Sequence, residues 1–546
     1  MPDDRGVSSY RVDNGIAVLT IDSPPVNALS HAVRSALHEG VARALADGDA
    51  RALVLICAGR TFFAGADVTE IGKPILPPLL ADVMAAFESA TKPIVSALHG
   101  TALGGGLELA LAGHYRVAVP SAIVGLPEVA LGLIPAAGGT QRVPRLVGVA
   151  AAVDMIGLGQ HVDAPKALAI GLIDAIVEEG ALEAQAIDFA HQRIADNAPL
   201  RRVRDLTPDL DLVAAHDIFA AFRARHPALF VGVKAASGVL EAIEASIALP
   251  FEEGLERERA ISRALINSPE SAAQRHLFFA ERAATKLPGH EQDKAPAIDA
   301  AMLVGDWPHA ARLEQRGMNV EVAGQAAQMV VVTLPSGEAE RHAVMRGLSA
   351  DIPIVLADAS DSLDSLAAMS HDAGAVAGLS VTHGVAEVVV GAHTRAAAAL
   401  AAAALARKLG WPSIFVAPHP GLVVERLVAC LEATIAGLLT DDVPAGDIRA
   451  TGIAFGLDAR LLPSSPDEGV ADDVLQRRML YPVLREALAL LDEGIAKRSS
   501  DIDFAMVRAG LWPLWQGGPA FLAERTGREA IREWADARGP VATLVD

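Results

Sequence analysis

Twice along this chain of 546 residues, short β-like apolar runs alternate with helical stretches, and that alternation limits the fold more than any other property. The first series runs from Gly15 to about Val177, with candidate strands at Ile16–Ile21, Ala52–Cys57, Pro93–Leu98 and Tyr115–Val119. Apolar residues recur at helical spacing between them, as over Ala32–Ala46. The second series starts at Ala301–Gly305 and adds strand-like runs at Val320–Val322, Met329–Leu334 and Ile352–Leu356. Between the two, 182–284 reads as helical and the charged, proline-containing Lys286–Lys294 as a linker. After Pro420 the chain reads as helical, divided at Pro463–Pro466, and its last block, Arg478 to about Phe521, meets a helix stop in Gly517-Gly518-Pro519. The pattern predicts an α/β protein whose reactive groups sit at loop and helix ends. Its length exceeds one core, so roughly three to five domains are expected.

The balance of charges narrows the partners. A formal net charge of -21 argues against nucleic acid and anionic membranes, which reward a basic face. Cys57 and Cys430 lie far apart in apolar runs, which argues against a disulfide scaffold or a thiolate metal site, so no metal is expected. Met1–Arg5 is acidic and lacks a signal-peptide core. The alanine-rich run Ala396–Ala406 is short and closed by Arg407-Lys408, which fits a buried helix better than a membrane span. These features predict a soluble, cytoplasmic protein.

Two glutamates carry the chemical signal. Glu108 follows Gly104-Gly105-Gly106-Leu107, and Glu128 sits in Gly125-Leu126-Pro127-Glu128, ahead of Gly138-Gly139-Thr140-Gln141-Arg142. Carboxyls in apolar segments suit acid/base work, because burial raises their pKa toward neutrality. The glycines let backbone N–H groups approach a ligand. Phe62–Asp67 and Gly105 each read as a strand-to-helix junction, where two N–H groups can converge on a carbonyl oxygen and stabilise its developing charge. A thioester carbonyl fits. Taken singly, Gly-Gly-Gly is a turn and a helical glutamate is solvated; order and spacing together lift the pair above that. Asp67 also suits a helix cap, and His99 a packing or hydrogen-bonding role.

These stretches, with Pro25-Val26-Asn27-Ala28-Leu29, Ala64-Gly65-Ala66-Asp67 and Ala167–Asp174, closely resemble the enoyl-CoA hydratase/isomerase (crotonase) superfamily in order and spacing over about the first 180 residues. The resemblance implies a crotonase spiral of ββα units, an oxyanion hole from the N–H groups of Ala66 and Gly105, and Glu108 and Glu128 as the acid/base pair. It also implies substrate contacts at Ala28, Ala64, Asp67 and Gly104. The implied substrate is an acyl-CoA thioester and the implied reaction is hydration of a trans-2-enoyl-CoA, with Δ3-Δ2 isomerisation, or a bifunctional hydratase and 3-hydroxyacyl-CoA dehydrogenase, as the alternatives. Acyl-chain preference would be set by loops such as Ile71–Ala81, which holds Pro74, Pro77 and Pro78.

The remainder is similar to the join and C-terminal part of multifunctional β-oxidation enzymes, in Pro250–Glu258, Leu277–Arg282, Leu480–Ala487, Asp501–Val507 and Gly517-Gly518-Pro519. There a 3-hydroxyacyl-CoA dehydrogenase follows the hydratase, but here its tools are missing. The dinucleotide turn is Gly305-Asp306-Trp307-Pro308-His309-Ala310, with one glycine left of G-x-G-x-x-G. After Val322 comes Ala323-Gly324, with no acidic residue for a ribose hydroxyl. Ser380 stands where the family carries its histidine base, with His383 a displaced substitute; Glu387 matches the partner glutamate, and Glu425 replaces a substrate-binding asparagine. Gly305 to Ser380 is too short for a full nucleotide-binding domain, as if a strand and helix were deleted. The resemblance therefore implies no bound cofactor, coenzyme A entering only with the substrate and NAD not used. It divides the chain into a crotonase core (1–190), its C-terminal helices and linker helix (191–285), a truncated Rossmann-like domain (299–409) and two helical domains (410–470, 471–546). The 3-hydroxyacyl-CoA product would pass to a separate dehydrogenase. A thiolase is the other partner implied, either in that pathway or recruited by the chain acting as an acyl-CoA-binding scaffold.

Overall fold

The computed structural model describes residues 6–536 apart from 68, 69, 71–73, 75, 321–326, 349–351, 360 and 361. It divides into two compact units, Met1–Ser271 and Ala272–Asp546.

In the first unit six strands form one sheet in the order β1-β2-β3-β4-β6-β9. They are β1 (Ser8–Asp13), β2 (Ile16–Ile21), β3 (Ala52–Cys57), β4 (Ile94–Leu98), β6 (Tyr115–Ala118) and β9 (Ala175–Ile176). Only β1 runs antiparallel to its neighbour. Every residue of β3 is buried, as a central parallel strand covered on both faces requires. Each large aliphatic side chain removed from water there contributes about 1.5–3 kcal/mol. A second, three-stranded sheet has the order β5-β7-β8, from β5 (Thr101–Leu103), β7 (Ile123–Gly125) and β8 (His161–Asp163).

This small sheet explains the spacing of the two glutamates. β5 and β7 are parallel neighbours with Leu103 opposite Gly125, so both chains leave the sheet at the same end. The Gly104 N–H donates to the Gly125 carbonyl at 2.9 Å. One chain turns at Gly104 into the helix Gly105–Ala112, which carries Glu108; the other passes Leu126 and Pro127 into the short 3-10 helix Glu128–Leu131. The intervening crossover through β6 accounts for the distance along the chain.

The second unit holds a six-stranded sheet in sequential order from β10 to β15. Its strands are β10 (Ala301–Val304), β11 (Met329–Thr333), β12 (Ile354–Ala357), β13 (Val376–Thr382), β14 (Val385–Val389) and β15 (Ser413–Val416). All neighbours are parallel except β13 and β14. Val320 lies outside any strand, beside a single bridge from Asn319 to Ala300, and 321–322 of that expected run are outside the described residues, as are Ala323-Gly324. Helices follow, including Val424–Thr440, Asp473–Asp492 and Ser499–Arg508. The fold class expected from the sequence holds: α/β with crotonase topology first and helices at the C-terminal end.

One boundary is corrected. Gly517-Gly518-Pro519 ends only the 3-10 turn Leu514–Gln516, at Gly517, and starts a further helix, Pro519–Thr526; the α-helix before it has ended at Arg508. Proline at the first helical position costs no hydrogen bond, so the same tripeptide reads as a stop or a start. No helix among the described residues is long and apolar enough to cross a membrane.

Candidate active site

Glu108 is 3 % exposed on a helix whose every residue is buried. Its Oε1 accepts the N–H groups of Ala137 at 2.9 Å and Gly139 at 2.7 Å, in the turn that opens the helix Gly139–Val147. Burial raises this carboxyl above its ordinary value, while the two N–H groups and the Arg142 guanidinium pull it back. Glu128 belongs to a half-buried turn, but its Oε2 is enclosed and has no hydrogen-bond partner. Burial, and then the charge of Glu108, hold its carboxyl well above the ordinary range. Two groups with unequal support, one held by two N–H donors from another turn and one with an oxygen left unpartnered, are suited to unequal proton loads.

Gly104 joins them. Its φ of +53° is unfavourable for a side chain, and a β-carbon there would lie 3.0 Å from Glu128 Oε1. Ala66 and Gly105 also come together: a β-carbon on Gly105 would lie 3.6 Å from the Ala66 nitrogen. Among the described residues no carbonyl accepts the N–H of either. Ala66 forms a bridge with Leu29, and Glu70 just after it is 3-10 helical; the rest of the expected strand-to-helix junction, 68, 69 and 71–73, lies outside the described residues. Ala28 and Ala64 flank the same place. The Ala64 N–H bonds the Val26 carbonyl, and the buried Asn27 ties the loop down with its side chain, accepting from Ser23 N and donating to the carbonyls of Ala58 and Thr61. Asp67 is partly buried, and its carbonyl accepts from Glu70. Of the loop Ile71–Ala81, residues 71–73 and 75 lie outside the described part. His99 hydrogen-bonds the Gly59 carbonyl at 3.2 Å, a structural contact.

Two residues of this neighbourhood escape a sequence reading. Arg142 is buried, bonds Glu88 Oε1 at 2.9 and 2.6 Å, and donates to the Ala137 carbonyl at 2.8 Å, so it holds the turn that holds Glu108. Glu258, wholly buried, bonds the same turn from the helix Phe251–Ile266. Its signal was available. The buried stripe of that helix is Gly254, Leu255, Glu258, Ile261 and Leu265, a carboxylate where the helical period calls for an apolar side chain.

The dehydrogenase-like constellation in the second unit is arranged differently. Ser380 on β13 lies opposite Glu387 on β14. Glu387 is wholly buried, with Oε1 accepting Val423 N–H at 2.8 Å and Oε2 without a partner. His383 cannot serve as the displaced base. It is exposed at the tip of the hairpin, where it and Gly384 take φ of +50° and +77° in a two-residue turn. In the turn after β10, Trp307 is buried in the core and stands edge-on to His309, which meets Trp411 at 4.6 Å. The helix that follows, Ala310–Gln315, has only six residues. A dinucleotide needs bare backbone and an amide-rich helix start, so these residues do not fit NAD.

Known proteins resemble the chain as follows. Residues 11–216 match the enoyl-CoA hydratase/isomerase family. The chain is 33 % identical to the peroxisomal bifunctional enzyme of Danio rerio over 91 % of this chain and 70 % of that protein. It is 37 % identical to the human peroxisomal bifunctional enzyme over 50 % of this chain but only 38 % of that one. Among solved structures, an enoyl-CoA hydratase/isomerase from Pseudoalteromonas atlantica is 26 % identical, covering 50 % of this chain and 96 % of its own, at a TM-score of 0.38. The names correct the cytoplasmic location expected from the sequence, since these relatives, and a glyoxysomal one from Cucumis sativus, are named for organelles. Two free cysteines do not separate cytosol from organelle. The chain belongs to the family of multifunctional β-oxidation enzymes that includes the peroxisomal bifunctional enzyme, with an enoyl-CoA hydratase/isomerase domain in its N-terminal half.

Proposed function

We propose that this protein is an enoyl-CoA hydratase, adding water to trans-2-enoyl-CoA thioesters, and that its second unit carries no dehydrogenase activity. The observation that supports hydration most is the pair of enclosed carboxyls, one held by two N–H donors and one with an unpartnered oxygen, beside the N–H groups of Ala66 and Gly105, which no carbonyl among the described residues accepts. The thioester oxygen would accept from those two groups. Ionised Glu108 would take a proton from water as its oxygen bonds C3, the C2=C3 electron pair would move toward the thioester, and protonated Glu128 would deliver its proton to C2. One donor of an oxyanion hole is worth about 10²–10³ in rate, and a positioned acid or base about 10²–10⁴. Ala28, Ala64, Asp67 and Gly104 would line the substrate path.

The inactive second unit is supported by Trp307 filling the nucleotide turn and by Ser380 facing Glu387 where a base is needed. No cofactor is then required, and the 3-hydroxyacyl-CoA product leaves for a separate dehydrogenase and thiolase, in a compartment of the kind named in its relatives. Two assays test this on the full chain. Loss of the conjugated thioester absorbance of a trans-2-enoyl-CoA should be fast and depend on Glu108 and Glu128. A 3-hydroxyacyl-CoA with NAD should give a flat trace. NADH formation would overturn the second statement, and a 3-enoyl-CoA converted only as far as the conjugated alkene would favour an isomerase.

A further inference from the structure

The turn Ala137–Thr140 is gripped by two carboxylates at once, through alternate N–H groups. Ala137 and Gly139 donate to Glu108, while Gly138 and Thr140 donate to Glu258 at 2.7 and 3.0 Å. The Thr140 hydroxyl adds a third bond to Glu258 Oε2, at 2.5 Å. The free N–H groups before and at this helix start are shared alternately between the two carboxylates, so each fixes the turn that orients the other. A solvated surface glutamate would serve no such purpose, and a wholly buried one is costly unless held like this.

We propose that Glu258 is a positioning residue of the hydratase site, fixing the turn that aims Glu108 and placing a third negative charge where it keeps the proton on Glu128. This rests on the function proposed above. The electrostatics agree with it. Glu128 is pushed up by burial, then by Glu108, and also by Glu258. Burial and then Glu108 push Glu258 itself up to about 8. Once ionised, Glu258 adds to the cost of ionising Glu128. The facing charges are few: Glu108 from Gly105–Ala112, Glu128 from its 3-10 turn, and Arg142 from Gly139–Val147, with Arg145 of that helix directed to the Gln141 carbonyl. The packed helix Ala235–Ala248 turns Glu241 and Glu244 outward, to Arg257 and His216.

The test compares wild type with Glu258→Gln and Thr140→Val in hydration assays across pH, with a melting curve for each protein. Glu258→Gln keeps the shape and removes the charge. It should lower kcat about 10–100-fold with KM within about twofold, since a misaimed base costs chemistry rather than binding. The alkaline limb of the kcat/KM profile should move toward acid by about one unit, because Glu128 loses a charge that held its proton. Thr140→Val removes one bond only and should move the same limb in the same direction by less. A folded Glu258→Gln protein with full kcat and an unmoved limb would overturn the proposal. So would lowered activity at every pH with the limb in place, which marks packing alone. Should Glu258→Gln not fold, an unmoved limb in Thr140→Val overturns it. A wild-type chain that hydrates nothing removes the proposed function and this role together, whereas a wild-type hydratase with an indifferent Glu258 removes this role only.

Discussion

Both units bury a glutamate whose carboxylate accepts backbone N–H groups where a helix begins, yet only one of them reads as a working site. Glu108 takes Ala137 and Gly139; Glu387 takes Val423, at the start of the helix Val424–Thr440. The difference lies in their company. Around Glu108 stand Glu128, Glu258 and glycine backbone, so protons have more than one place to go. Around Glu387 stand Ser380 and an unpartnered Oε2, and the turn after β10 is filled by Trp307. A buried carboxylate tied to N–H groups serves packing by itself, and its neighbours decide what chemistry it can support.

The largest effect expected from this contrast is on rate. Glu108→Gln and Glu128→Gln should each lower kcat for hydration by about 10²–10⁴, the usual worth of a positioned acid or base, with melting temperatures close to wild type. Glu387→Gln should leave the same kcat unchanged. Steady-state rates on one enoyl-CoA decide it. A loss of hydration in Glu387→Gln, or none in the first two, breaks the comparison.

The same substitution in the two glycine turns sharpens it further. Gly104→Ala puts a methyl 3.0 Å from Glu128 Oε1 at a φ of +53°, and should cost about 10–100-fold in kcat through a displaced acid. Gly305 has a φ of +86°, and a β-carbon there would lie 2.4 Å from the Thr333 carbonyl oxygen. Gly305→Ala should cost about 1–3 kcal/mol of folding stability and leave hydration intact. Denaturant melts and hydration rates on both variants separate the outcomes; a Gly305→Ala protein with impaired hydration would show that the remnant turn serves the first site.

What could be read from the sequence follows from range. The buried parallel strands β3 and β4 are continuous apolar runs and were legible nearly to the residue, with Pro93 outside because it has no N–H for a ladder. β5, β7, β8 and β9 have two or three residues each, too few for any period to register, although β5 and β7 are what bring the glutamates together. Glu108 and Glu128 were legible because glycines frame them. Glu258 was not, because its hydrogen bonds to Gly138 and Thr140 span 120 and 118 positions, and only its place in an apolar helical stripe hints at them. The His383 alternative failed for a local reason: a residue two before the next strand in a tight hairpin has to be the turn.

The last expected effect leaves catalysis untouched and is on stability alone, with a size that depends on pH. Burial, partly offset by the N–H groups of Val423 and Val424 and reinforced by the charge of Glu425, pushes Glu387 up to about 7 from a model-peptide value of 4.5. A carboxyl with a raised folded pKa makes the folded state bind the extra proton, so stability is highest below the unfolded value and falls as pH climbs from 4.5 to about 7. The full loss corresponds to about 3 kcal/mol. Glu387→Gln keeps an acceptor for Val423 N–H and never ionises. The variant should therefore unfold at higher denaturant than wild type at pH values above about 7 and match it near pH 4, within the few tenths of a kcal/mol that denatured-state effects introduce. Denaturant melts at the two pH values measure this directly. A variant less stable than wild type at the higher pH would mean that the ionised carboxylate is being used there, which would return the second unit to the list of working sites.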